Sequence, residues 1–110
     1  MKIAAVGRAL PPHYYDQDAL LDGLRRRWSD RLFNPERLER LHRNALVGGR
    51  HLALPIDEYA GLTTWGKAND AWIRVAQEVG GAAVSDALAR AGLSPAAVDA
   101  LIFVTVTGVA

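Results

Sequence analysis

The chain of 110 residues contains no cysteine, which excludes disulfides, thiolate metal sites and a cysteine nucleophile from these residues. No apolar run approaches the roughly 18 residues needed to span a bilayer, so no membrane partner is expected. Arg8 interrupts the opening MKIAAVGRALPP before a hydrophobic core of a signal can form, and a cytoplasmic location is expected. His13, His42 and His51 are too scattered for a metal site, and no HExxH pattern is present. Neither GxGxxG nor GxxxxGK[ST] occurs, and Ser29, Ser85 and Ser94, the three serines, lie in no nucleophile elbow. Charge of one sign is also scarce. A net charge of +1 does not fit a surface built throughout to hold nucleic acid or an anionic membrane.

What is present is a single domain's worth of apolar residues, 50% of the chain, with its charge unevenly placed. Residues 1–50 hold ten Lys and Arg against six Asp and Glu, whereas residues 51–110 hold three against six. A basic first half facing an acidic second half points to a local anionic ligand.

The elements follow from periodicity and punctuation. Lys2–Leu10, a short apolar run closed by Pro11-Pro12, reads as a buried strand. Asp16 caps a helix from about Gln17 to Trp28, with Leu20, Leu21 and Leu24 as its apolar face. Its Arg25-Arg26-Arg27 ending reads as a solvated last turn that suits the helix dipole. Asn34-Pro35 starts a second helix, and Gly48-Gly49 is expected to stop it. Leu38, Leu41 and Ala45 are expected to be its buried face. Arg50–Leu54 reads as a short strand. Ile56–Gly66 reads as a loop or helical turn in which Tyr59 and Trp65 pack. Lys67–Ala91 is the longest periodic segment, with Ala68, Trp72, Val75, Val79, Ala83, Ala87 and Ala91 on one face. Gly92 ends it, and Ser94-Pro95 begins a turn through Val98. Leu101–Thr107, LIFVTVT, is β-branched and apolar on both faces, the pattern of a strand inside a parallel sheet. The fold class expected is therefore α/β.

The residues that carry chemistry are few. Arg37, Arg40 and Asn44 form a stripe along the second helix, with Arg43 beside it, and guanidinium forks suit phosphate oxygens. The same arginines also read as a solvated face paired with Glu36 and Glu39. Thr105 and Thr107 share a face of the last strand, and Thr107-Gly108 falls where open α/β sheets collect ligands. There too a plainer reading stands, with the hydroxyls bonded to nearby backbone. Nothing in the chain assembles into a complete catalytic centre.

Taken in order, RALPPHYYDQDALLDGLRRRW, FNPERLERLHRNALVGGRHLALPIDEY, ANDAWIRVA and VDALIFVTVTGVA resemble the amino-terminal portion of bacterial type III polyketide synthases, the chalcone and stilbene synthase family. The helix leading into GGRHLALP and the FVTVTG run are the most specific parts. The resemblance implies the amino-terminal part of a thiolase-like fold: a strand, helices, a long core helix and a buried parallel strand. It implies a homodimer and an acyltransferase that loads an acyl-CoA starter on a cysteine and extends it with malonyl-CoA by decarboxylative condensation. The partners expected are these CoA thioesters as substrates, with no cofactor, no metal and no nucleic acid.

In that family a basic helix holds the CoA phosphates, and its three cationic positions fall on Arg37, Arg40 and Asn44. Asn44 departs from the lysine found in plant members, and Arg43 is the neighbouring cation that compensates. The family's Thr-Ser pair at the acyl-pocket wall falls on Val106 and Thr107, and loss of one hydroxyl favours a more aliphatic starter. The family's Cys-His-Asn centre has no counterpart in residues 1–110. The resemblance thus implies an incomplete domain, truncated before the catalytic cysteine, that binds but does not condense. Two competing readings are a non-enzymatic phosphate- or RNA-binding module built on the basic helix, and a noncatalytic remnant that dimerises with an intact relative. Two strands with open edges and an alanine-rich helix also make a poor independent core, so a chain of marginal stability is expected.

Overall fold

Asp16 turns the chain from strand into helix, because its carboxylate accepts a hydrogen bond from the Ala19 amide at 2.8 Å and so satisfies one of the donors left free at a helix start. In the computed structural model, which describes residues 2–28 and 33–109, α1 follows as Gln17–Trp28, the span expected. Asn34 caps α2 (Pro35–Asn44) in the same way, its Oδ1 accepting from the Arg37 amide at 2.9 Å, with Pro35 at the first position. Thr64 caps α3 (Trp65–Ala91), and Gly92 closes it in the left-handed region at φ 66°. There the Leu93 amide reaches back to the Leu88 carbonyl at 3.0 Å. A short 3-10 turn at Pro95–Ala97 occupies the place expected for one.

The chain divides into two compact units, Pro11–Thr63 and Met1–Leu10 with Thr64–Ala110. Within Pro11–Thr63, β1 (His13–Asp16) pairs antiparallel with β2 (Gly49–Leu52), in register from His13 opposite Leu52 to Asp16 opposite Gly49. Helices α1 and α2 and a 3-10 turn at Ile56–Gly61 accompany this hairpin. Tyr15 ties the turn to the hairpin by accepting from the Ile56 amide at 3.1 Å. Among the described residues, Leu20, Leu21 and Leu54 are the buried ones of this unit.

The other unit is organised along α3. Ala68, Trp72, Val75, Val79, Ala83, Ala87 and Ala91 are all withdrawn from full exposure, so the face expected from the 3.6-residue period is the face that packs. In the segment before Pro11, Ala5, Gly7 and Ala9 are half-buried while the residues between them are exposed, the two-residue alternation of extended chain. Gly7 lies against Ala83 and Ala87, leaving no room for a side chain. The Asp86 carboxylate accepts from the Arg8 amide at 3.1 Å. At the other end, Asn69 brackets Val109, donating to its carbonyl at 2.8 Å and accepting from its amide at 2.9 Å.

Five expectations are corrected. Lys2–Leu10 and Leu101–Thr107 form no strand: the sheet among the described residues is the two-stranded antiparallel pair of β1 and β2. The last run, far from being buried, leaves Ile102 88% exposed. An apolar run becomes a strand only against a partner edge, and neither run supplies one to the other. Helix α2 ends at Asn44, before the double glycine, with Leu46 in the left-handed region at φ 52°. Gly49 belongs instead to β2, where a Cβ would fall 2.5 Å from the Tyr15 carbonyl oxygen. Leu41, Ala45 and Trp65 are exposed, since α2 turns Leu38, Glu39 and His42 inward and Trp65 opens its helix on the solvent side. The architecture is mixed helix and strand.

Candidate functional site

Helix α2 is held at its middle and in its last turn. Gln17, at the start of α1, donates through Nε2 to the His42 carbonyl at 3.0 Å and lies 3.0 Å from His42 Nδ1. Arg25, in the last turn of α1, donates to the Glu39 carboxylate and to Asp22 at 3.1 Å. Hydrogen bonding to Glu39, with Asp22 adding to it, raises the pKa of Arg25 above its ordinary value, so this group stays charged at any working pH.

These ties fix which way α2 faces. The partly buried positions are Leu38, Glu39 and His42, whereas Arg37, Arg40, Arg43 and Asn44 are exposed. At about 100° per residue the stripe of Arg37, Arg40 and Asn44 is centred roughly 170° from the packed side. Among the described residues none of Arg37, Arg40 and Arg43 takes part in an ion pair. Glu36, Glu39, Arg40 and Arg43 line one groove of about 300 Å³. The structure therefore brings Arg40 and Arg43 together with two carboxylates, and places Arg37 and Asn44 on the adjoining outer face.

A cleft of about 440 Å³ lies between α1, β2 and the 3-10 turn, with Leu20, Leu24, Leu52 and Ile56 in its apolar wall and Arg27 and Arg50 beside them. The sequence reading missed it. Leu20 and Leu24 were legible as one helix face, but the hairpin that completes the wall is a contact between residues far apart in the chain.

Val106 and Thr107, the two residues expected at an acyl-pocket wall, lie on the extended run after α3. Val106 is 98% exposed, and Thr107 is exposed. The Thr107 amide donates to Thr105 Oγ1 at 3.2 Å, the local bond of the plainer reading. Among the described residues no group of His, Asp and Glu side chains is arranged to hold a metal ion, and no helix is long and apolar enough to cross a membrane.

No family model matches the chain. It is, however, 45% identical over 98% of its length to a 1,3,6,8-tetrahydroxynaphthalene synthase of Streptomyces peucetius subsp. caesius, a type III polyketide synthase, and spans 29% of that relative's length. An identity of this size running through nearly every element, from the β1–β2 hairpin to the extended run after α3, is not produced by one shared motif. The chain belongs to the type III polyketide synthase family.

Proposed function

We propose that these residues are the amino-terminal, CoA-binding portion of a type III polyketide synthase, an acyltransferase that condenses an acyl-CoA starter with malonyl-CoA. One observation carries the reading: in a chain 45% identical to a tetrahydroxynaphthalene synthase, the outer face of α2 presents Arg37 and Arg40 to solvent with Asn44 in line. Guanidinium groups on a fixed helix bind phosphate oxygens through paired, charge-assisted hydrogen bonds. Arg43 adds a fourth position at the groove.

In this reading the fold is the start of a thiolase-like domain that acts as a homodimer in the cytoplasm, and Val106 and Thr107 line the acyl pocket once further chain covers them. The thioester-forming cysteine is assigned to a residue outside these 110, since they contain none. The chain by itself then binds CoA thioesters and does not condense them.

Calorimetric titration of the chain with CoA and with 3′-dephospho-CoA tests the assignment. Replacing both Arg37 and Arg40 by Ala is expected to weaken CoA at least about tenfold, as loss of two charge-assisted contacts requires. The difference between CoA and its dephospho form should shrink with it. Unchanged CoA binding in the double variant, or a short RNA bound more tightly than CoA through the same arginines, overturns the proposal.

A further inference from the structure

We propose that the cleft between α1, β2 and the 3-10 turn binds a medium-chain aliphatic carboxylate, its tail lying on the leucine wall and its head group held by Arg27 and Arg50. The site is made by Pro11–Thr63 alone, the unit that does not contain Val106 and Thr107.

The cleft forms where two elements meet at a glycine. A Cβ on Gly23 would fall 2.6 Å from Ile56 Cδ1, so α1 and the 3-10 turn touch there. Leu20 and Leu24, four residues apart on α1, share one helix face beside it. Leu24, Leu52, Ile56 and Leu62 line the cleft and are only half-buried. Part of their apolar surface is therefore still open to water, and a hydrocarbon chain laid on it removes that surface from solvent. A volume of about 440 Å³ is in the range that takes one small ligand.

The polar groups of the cleft share one preference. Arg27 and Arg50 line it, and among the described residues no Asp or Glu does. Neither arginine takes part in an ion pair among the described residues. Asp57 lines an adjoining groove with Arg26 and Arg27, and counting that groove as well leaves three cations to one carboxylate. The site is net positive on either count.

His42 adds a donor. Gln17 Nε2 lies 3.0 Å from the His42 carbonyl oxygen and 3.0 Å from His42 Nδ1. The carbonyl can only accept, so the Gln17 atom beside it is the amide nitrogen, whose second hydrogen goes to Nδ1. With Nδ1 accepting, the neutral ring carries its proton on Nε2. His42 lines the cleft, so this ring and the two guanidiniums are all donors to a ligand there. A carboxylate accepts from such donors, and its planar pair of oxygens matches the guanidinium fork.

The test is NMR titration of the full chain, kept dilute, with octanoate and with octan-1-ol, following the His42 ring and the indole of Trp28, which lines the same cleft. Octanoate should bind saturably and about tenfold more tightly than the alcohol, the scale of two charge-assisted contacts. Arg27→Gln combined with Arg50→Gln should cost octanoate about tenfold, two exposed contacts at about threefold each, and leave the alcohol within about twofold. Both side chains are exposed, so their loss leaves the apolar wall intact. Equal affinity for acid and alcohol in the parent chain overturns the proposal, and that ratio decides even where a variant fails to fold. A double variant that loses both ligands alike overturns it too, as the mark of a change in the fold. So does the absence of saturable shifts, which would mean that the chain's own residues close the cleft. Arg37→Ala with Arg40→Ala should leave octanoate binding unchanged. A loss there assigns the carboxylate to the α2 stripe and overturns this site without touching the CoA reading, whereas failure of the CoA titration leaves this site standing.

Discussion

Asp86 shows how one carboxylate can join parts of the chain that sequence keeps far apart. Its Oδ1 accepts from Arg90 Nε at 2.8 Å, one helical turn on, and its Oδ2 from the Arg8 amide at 3.1 Å. The Arg90 hydrogen bond, followed by that from Arg8, lowers the pKa of Asp86 below the usual 3.8. Both bonds favour the ionised form. A carboxyl whose folded value is depressed adds stability that is fully present above its unfolded value and is lost as pH falls through the folded one. The attachment of residues 2–10 to α3 should therefore hold at neutral pH and loosen only below about pH 3.8. NMR titration of the Arg8 amide reads this directly, with an expected midpoint under 3.8 that Asp86→Asn abolishes. A midpoint at or above that value would contradict the bond. Nothing in the sequence announces the contact, because the partners are 78 residues apart.

Element boundaries were legible wherever the chemistry that sets them is local. Asp16, Asn34-Pro35 and Gly92 act on amides within a few residues of themselves, and α1, the start of α2 and the end of α3 followed from them. The end of α2 did not, because Gly48-Gly49 has a job set by a strand more than thirty residues earlier. Gly49 lies in β2 opposite Asp16, packed too closely on Tyr15 for a Cβ, and the helix closes instead on Leu46 with φ at 52°. β1 was missed for the same reason: four residues, HYYD, carry too little alternation to be seen without their partner. Two substitutions should move stability in opposite directions. Leu46 is 92% exposed, so Leu46→Gly sacrifices little packing, relieves the left-handed backbone and should stabilise by about 0.5–1 kcal/mol. Gly49→Ala must push strands apart and should destabilise by about 1–3 kcal/mol. Urea unfolding monitored by tryptophan fluorescence gives both values, and a loss of stability in Leu46→Gly would show that Leu46 packs or that its backbone is unstrained. At the site, the arginine stripe was legible from spacing alone. The Arg25–Glu39 bond was not, since it depends on α1 and α2 lying side by side.

For the molecule as a whole, the question is how far this chain can satisfy its own apolar surface. Among the described residues, Leu20, Leu21, Leu54 and Val75 are the buried hydrophobic ones, and no side chain is completely enclosed. Against them stand Ile3, Val6, Ile102, Val104 and Val106, all largely exposed on extended segments. Such segments also present backbone donors and acceptors without strand partners, the arrangement that templates edge-to-edge association. The sequence pattern marked these runs as buried strands, and in this structure they are exposed and form no strand. What it could not supply was the partner surface, and a relative of which this chain spans 29% shows that a protein of the family has much more chain to provide it. The chain is therefore expected to associate as its concentration rises, to bind a hydrophobic dye, and to melt broadly. Replacing Val104 and Val106 with Lys should suppress the association while leaving the far-ultraviolet helix signal intact, because neither residue belongs to a helix. Sedimentation velocity across a dilution series measures the first effect and circular dichroism the second. A monodisperse monomer with a sharp near-ultraviolet transition would mean that α3 and its two flanking segments hold together without further partners.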